Sequence, residues 1–185
     1  MVYFTSDLHH RHRNILNVCP EHRPWESREA MTEALIEYHN DIVRETDTLY
    51  ILGDFSFGKA GFTLDVLRAM TGNKIIIRGN HDEWLDNVTE EQLLDVGVAN
   101  VHDLYCRKFD GTKIVMCHYA IRAWQDQGRG SLHIYGHSHG NLEGFGRSMD
   151  VGWDAWGRYL LLEEVIDRLG SKEIEVADHH KIIVE

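Results

Sequence analysis

A chain of 185 residues is long enough for one domain with a hydrophobic core and short for two, so a single domain spanning 1–185 is expected. Its 43% hydrophobic and 26% charged residues are the balance of a soluble globular protein. Thirty acidic against 19 basic residues give a formal net charge of −11, which disfavours long nucleic acid as a partner without excluding it.

Val2 to Ser6 reads as a first strand running into Asp7, followed by a His- and Arg-rich loop that Pro20 and Pro24 keep from forming a continuous helix. Between Ser27 and about Glu45, Met31, Leu35, Tyr38 and Ile42 recur at helical spacing. Thr48 to Leu52 is a compact apolar run closed by Gly53-Asp54, a buried strand. A second helix is expected from Thr63 to about Met70. Lys74 to Arg78 holds three consecutive isoleucines, the pattern of a strand covered on both faces, and ends at Gly79-Asn80-His81-Asp82. Thr89 opens a short helix, with Glu90 and Glu91 near its positive end. Asp110-Gly111 signals a hairpin between Val101 to Phe109 and Thr112 to Cys117, the latter ending at His118. Leu132 to Tyr135 is a further strand, closed by Gly136-His137-Ser138-His139. Leu160 to Leu169 suggests a late helix and Ile182 to Val184 a closing strand. The pattern is an α/β domain whose later half is expected to be more antiparallel.

Cys19, Cys106 and Cys117 are far apart, odd in number and without CxxC spacing, which argues against a disulfide framework and for reduced thiols in a cytoplasmic protein. The first residues carry no basic and apolar leader, and no apolar run approaches the ~20 residues of a membrane span, so no membrane association is expected.

The polar residues fall in a telling place. Five strand candidates end in potential metal ligands: Asp7 and His9, Asp54, Asn80, His118, and His137 with His139. Ligands of α/β sheets bind beyond the carboxyl ends of strands, so these side chains can meet in one crevice. Residues at i and i+2 of an extended segment point the same way, which pairs Asp7 with His9 and His137 with His139. Oxygen and imidazole donors without thiolate suit Mn²⁺ foremost, with Fe, Zn²⁺ or Ni as other candidates. Seven such donors suffice for two ions if one carboxylate bridges them.

This series, Asp7-x-His9, Gly53-Asp54, Gly79-Asn80-His81-Asp82, His118 and Gly136-His137-x-His139, resembles the calcineurin-like metallophosphoesterase superfamily, motif for motif and in order. His118-Tyr119, Arg122-Ala123-Trp124 and Asp150-Val151-Gly152-Trp153-Asp154 are similar to its small, single-domain bacterial and phage-type branch. The resemblance implies two mixed β-sheets sandwiched between helices. It also implies a first cation on Asp7, His9, Asp54 and His139 and a second on Asp54, Asn80, His118 and His137, with a bridging hydroxide attacking a phosphoester. His81 then resembles the histidine that contacts the phosphate and helps protonate the leaving oxygen, with Asp82 as its orienting partner.

Arg11, Arg122 and Trp124 are candidate substrate contacts: Arg122 pairs with a phosphate or is merely solvated, and Trp124 stacks on a base or sits in the core. Asp150 and Asp154 either orient ligating histidines or serve a hairpin or the surface. The expected substrate is a small phosphodiester or nucleotide-like molecule. A protein phosphatase or monoesterase is the nearest alternative, although that branch continues its second motif into DRG where this chain reads Gly53-Asp54-Phe55-Ser56. A non-catalytic scaffold is the reading from another class, and it sits poorly with a complete set of ligand positions.

Overall fold

The computed structural model describes residues 1–178, so the strand expected at Ile182 to Val184 lies outside the described residues. Three β-strand–helix units build the first sheet. Strand β1 (Val2–Thr5) lies parallel to β2 (Thr48–Ile51), β2 to β3 (Asn73–Ile77), and β3 to β4 (Val98–His102), while the short β9 (Leu160–Leu161) pairs antiparallel on the far side of β1. Between them run α1 (Ile15–Val18), α2 (Arg28–Ile42), α3 (Ala60–Ala69) and α4 (Glu90–Asp95). Ser27 caps α2 by accepting from Ala30 N at 3.0 Å, and Thr89 caps α4 in a reciprocal pair with Gln92.

The second sheet orders β5 (Leu104–Phe109), β6 (Thr112–Cys117), β7 (Leu132–Tyr135) and β8 (Ser148–Asp150). Strand alternation builds two cores from the same residues in turn. Tyr3, Leu49, Ile51 and Ile76 face Met31, Leu35, Leu64 and Leu67 of the helices. Phe4, Tyr50, Ile75 and Ile77 instead meet Ile114, Met116, Leu132 and Ile134 of the second sheet. Beyond β8 come α5 (Trp153–Trp156) and α6 (Leu162–Gly170), and Val165 and Leu169 of α6 reach the inner core. The architecture is the expected one, two mixed sheets with helices.

Two expectations need correction. The single strand read over Val101 to Phe109 is two, β4 in the first sheet and β5 in the second, with Asp103 between them. The later half is the more antiparallel one, as expected, through β5–β6 and the β9 pairing on β1, although β6–β7 and β7–β8 are parallel. The β6–β7 crossover contains only a 3₁₀ turn at Gln127–Arg129, so the helical periodicity that marks a parallel crossover is missing from the sequence. Finally, the run beginning at Leu160 opens as β9 before α6 starts, with Glu164 accepting from Leu161 N at 3.1 Å.

Candidate metal centre

The carboxyl ends of β1, β2 and β3 in one sheet and of β6 and β7 in the other open onto the same edge, and the polar residues that follow each strand meet there. Two groups of donors converge: Asp7, His9 and His139, and Asp54, His118 and His137. Asp54 stands between them. Its Oδ2 is 3.8 Å from His9 Nε2 and its Oδ1 is 3.5 Å from His118 Nε2. Asn80 joins the second group, its Oδ1 lying 3.1 Å from His118 Nε2. All seven expected ligands are therefore gathered at one place.

The backbone that gathers them is not extended. Asp7, His9, Asp54, His137 and His139 have φ of +56°, +52°, +51°, +65° and +49°, in the left-handed region. Each such residue costs about 1–3 kcal/mol and persists only where its surroundings impose it. Here Asp7 N donates to Gly53 O and His9 N to Asp54 O, both at 3.0 Å, lacing the two loops together. Asp7 Oδ2 accepts from His137 N at 2.9 Å, tying the first sheet's loop to the second's. The pairing of i with i+2 holds, for a different reason than strand alternation. Glycine is required where the loops touch: a Cβ on Gly79 would lie 2.3 Å from Asp54 Oδ1, and one on Gly136 would lie 1.9 Å from Ser6 Oγ.

The donors fit cations. Asp7 Oδ1 and both ring nitrogens of His9 are buried and have no hydrogen-bond partner among the described residues. Buried polar atoms are seldom left so, and a cation between Asp7 Oδ1 and His9 Nε2 would satisfy that pair. His9 Nε2 and Asp7 Oδ1 are 3.6 Å apart, close to the ~3.4 Å that two ligands span on a tetrahedral ion with bonds of about 2.1 Å. The ring orientations are set from behind. His118 Nδ1 is held by Leu52 O at 2.7 Å and His139 Nδ1 by Asp154 Oδ2 at 2.6 Å, leaving each Nε2 turned inward. Asp154 is itself clamped by Arg23, which is 2% exposed and donates through Nε and Nη2 at 2.7 and 2.9 Å. Arg23 also donates to Asp7 O and Leu8 O, at 2.6 and 3.2 Å.

The electrostatics follow from these contacts. Burial pushes the Asp7 carboxyl up, but the imidazoles of His9, His118 and His139 outweigh it and hold the group below the usual carboxylate range. The hydrogen bond to Asp154 raises His139. Burial raises Asp150 to about 6; its carboxylate accepts from Gly140 N and Gly152 N and so shapes the loop after His139.

His81 sits at the rim. Its N–H donates to Asp54 Oδ1 at 2.9 Å, and its ring lies 6.2 Å from that of His9 and 4.4 Å from that of Phe57. Asp82 does not orient it, contrary to expectation. The Asp82 carboxylate is buried and fully engaged, accepting at 2.9 Å from Asp54 N, Phe55 N, Gly79 N and Trp84 Nε1. It fixes the loop that carries Asp54 instead.

The expected substrate contacts pack on other side chains. Trp124 is 9% exposed, donates through Nε1 to Ser131 O and Oγ, and packs on His133, so it belongs to the core. Arg122 lies over the Phe145 ring at 3.8 Å and Arg11 over Phe62 at 4.6 Å. Sequence reasoning missed Arg23, Phe57 and Tyr119. Tyr119 directs its hydroxyl to Asn80 Oδ1 at 3.4 Å and its ring to His137 at 4.8 Å; its adjacency to His118 was the available signal.

The model of the calcineurin-like phosphoesterases matches residues 1–182 of this chain. The chain belongs to that family. This calcineurin-like chain is 33% identical over 124 residues to the uncharacterized protein MJ1445 of Methanocaldococcus jannaschii, covering 64% of this chain and 69% of that protein. Among solved structures, it is similar to the protein of unknown function AQ665 from Aquifex aeolicus, at 25% identity and a TM-score of 0.66 over 91% of this chain and 98% of the other. A novel archaeal phosphodiesterase superposes with a TM-score of 0.50 at 21% identity over 82% of each chain, a likeness of fold. Membership makes the chain a phosphoester hydrolase with a metal-binding centre. Among the described residues no helix is long and apolar enough to cross a membrane.

Proposed function

We propose that the protein hydrolyses small phosphodiesters or nucleotide-like esters at two divalent cations, manganese foremost, that share Asp54. The observation that carries this is the meeting of the two donor groups on one carboxylate, with Asp7 Oδ1 and His9 Nε2 buried and unpartnered beside it. Asp7, His9, Asp54 and His139 would hold the first ion, and Asp54, Asn80, His118 and His137 the second. Divalent cations supply Lewis-acid chemistry in such a setting, polarising phosphoryl oxygens and making water acidic enough to attack near neutral pH.

The chain's own groups do the rest. Leu52 O and the Arg23–Asp154 pair keep the rings of His118 and His139 aimed at the centre. Asp82 holds the Asp54 loop rigid. His81, on the exposed side of Asp54, gives its proton to the departing alkoxide, which otherwise leaves slowly. A diester is favoured over a monoester because a cleft of about 700 Å³ bordered by His81 leaves room beside the centre for a second ester substituent.

The test compares an activated diester with the matching monoester, each with Mn²⁺ and with chelator. Manganese-dependent hydrolysis, faster on the diester, is expected; faster monoester turnover would mark a phosphatase, and no turnover on either would mark a binding scaffold. His81→Ala should keep its manganese and lose most turnover on esters with poor leaving groups, by about 10²–10⁴-fold. Near-wild-type rates on such esters would remove His81 from that role.

A further inference from the structure

A cleft of about 700 Å³ opens beside His81 and contains none of the donors. It lies between the loop that follows β2 and the 3₁₀ turn Glu83–Asn87, and its volume falls within the range of small-molecule sites, about 300–1,000 Å³. Phe57 and His81 form the wall shared with the centre. The Phe57 ring is 5.3 Å from that of His9 on the donor side, yet Phe57 remains 38% exposed. The remaining rim is polar: Lys59, Glu83 and Asn87 are all exposed, and neither Lys59 nor Glu83 makes an ion pair with another described residue. At the first turn of α3 the cleft is open: a Cβ added at Gly61 would meet nothing within 4 Å.

The position of His81 fixes which half of the substrate this space receives. A group that protonates the leaving oxygen stands on the leaving side, so the departing fragment exits toward the cleft that His81 lines. The lining selects among fragments. One cation and one carboxylate cancel, which does not favour a second phosphate, whereas an aromatic edge flanked by donors and acceptors suits a neutral, hydrogen-bonding heteroaromatic. We infer that this cleft is a leaving-group subsite for a nucleoside, with Phe57 contacting the base and Lys59, Glu83 and Asn87 its polar edge and sugar. The inference rests on the hydrolytic reading for the direction of departure, and on the cleft alone for the ligand.

Gly61→Leu tests it cleanly. Gly61 lines the cleft, leucine favours a helix over glycine, and a Cβ there meets no atom within 4 Å, so the variant folds while narrowing the cleft. Adenosine titrated into metal-free protein should bind saturably to the wild type, at least tenfold more weakly to Gly61→Leu, and about tenfold more weakly to Phe57→Leu, the scale of one lost aromatic–base contact. No binding, or binding unaffected by Gly61→Leu, would overturn the subsite. With manganese loaded, kcat/KM for a dinucleoside monophosphate relative to the methyl ester of the same nucleotide should fall about tenfold in Gly61→Leu; an unchanged ratio would also overturn it. Should neither ester be cleaved by the wild type while Gly61-dependent adenosine binding persists, the hydrolytic reading fails and the nucleoside site stands.

Discussion

The two halves of the centre are built differently. Asp7, His9 and His139 form a closed group: Asp7 and His9 are buried, and His139 is wedged between His9, Asp7 and Asp154. Asp54, Asn80, His118 and His137 form an open one, in which Asp54 and His118 are buried but Asn80 and His137 face outward. Closed donors with oriented rings hold an ion with little reorganisation, whereas open donors leave coordination positions for a substrate oxygen. The closed half is therefore expected to bind its cation more tightly and exchange it more slowly.

The largest effect should come from the residue that belongs to both halves. Asp54→Ala should abolish turnover, by on the order of 10³-fold or more, and remove the difference between the halves, since each loses a donor; steady-state rates with manganese titration would check this. Next comes the loop that holds Asp54 in reach. Asp82→Ala leaves three backbone N–H groups and the Trp84 indole without their acceptor, and should cost about 3 kcal/mol in urea unfolding along with most activity. Asp82→Asn keeps the shape but not the charge, and should fall between the two.

A change confined to the closed half sharpens the contrast. Asp154→Asn weakens the hold on His139 and leaves Arg23 without its carboxylate, so manganese affinity of the tighter site should fall roughly 10–100-fold while the weaker one changes little. Equal losses at both sites would contradict the separation.

The smallest effect concerns stability rather than chemistry. Burial holds His39 and His133, both away from the centre, at about 4. In the unfolded chain they titrate near 6.5, so as pH falls through that value the unfolded state gains protons that the folded state refuses until about pH 4. Stability is thus full above pH 7 and declines between about 6.5 and 4, by roughly 1–2 kcal/mol per histidine at pH 5. Urea melts of the metal-free protein at pH 7 and pH 5 would measure it, and a flat profile would place these rings in water.

Much of this was legible in the sequence, and what was not has identifiable causes. The seven candidate ligands could be picked out because chemistry restricts which residue types hold cations, and because each follows a run of β-branched or apolar residues. Their backbone could not: positive φ at Asp7, His9, Asp54, His137 and His139 is imposed by contacts between loops distant in sequence. Asp82 misled because it adjoins His81, although its carboxylate faces the opposite way into Trp84 and the Asp54 loop. Trp124 misled similarly, following His118 by six residues but packing on His133 and Ser131. Arg23 gave no signal, since one arginine among several in a polar loop does not announce that it is buried. Strand β8 has three residues, too few for alternation to register.

The most direct test is anomalous diffraction at the manganese edge from crystals grown with excess Mn²⁺. Two peaks about 3.5–4 Å apart, one on either side of the Asp54 carboxylate, are expected. A single peak away from Asp54, or none among Asp7, His9, His118, His137 and His139, would contradict a shared centre.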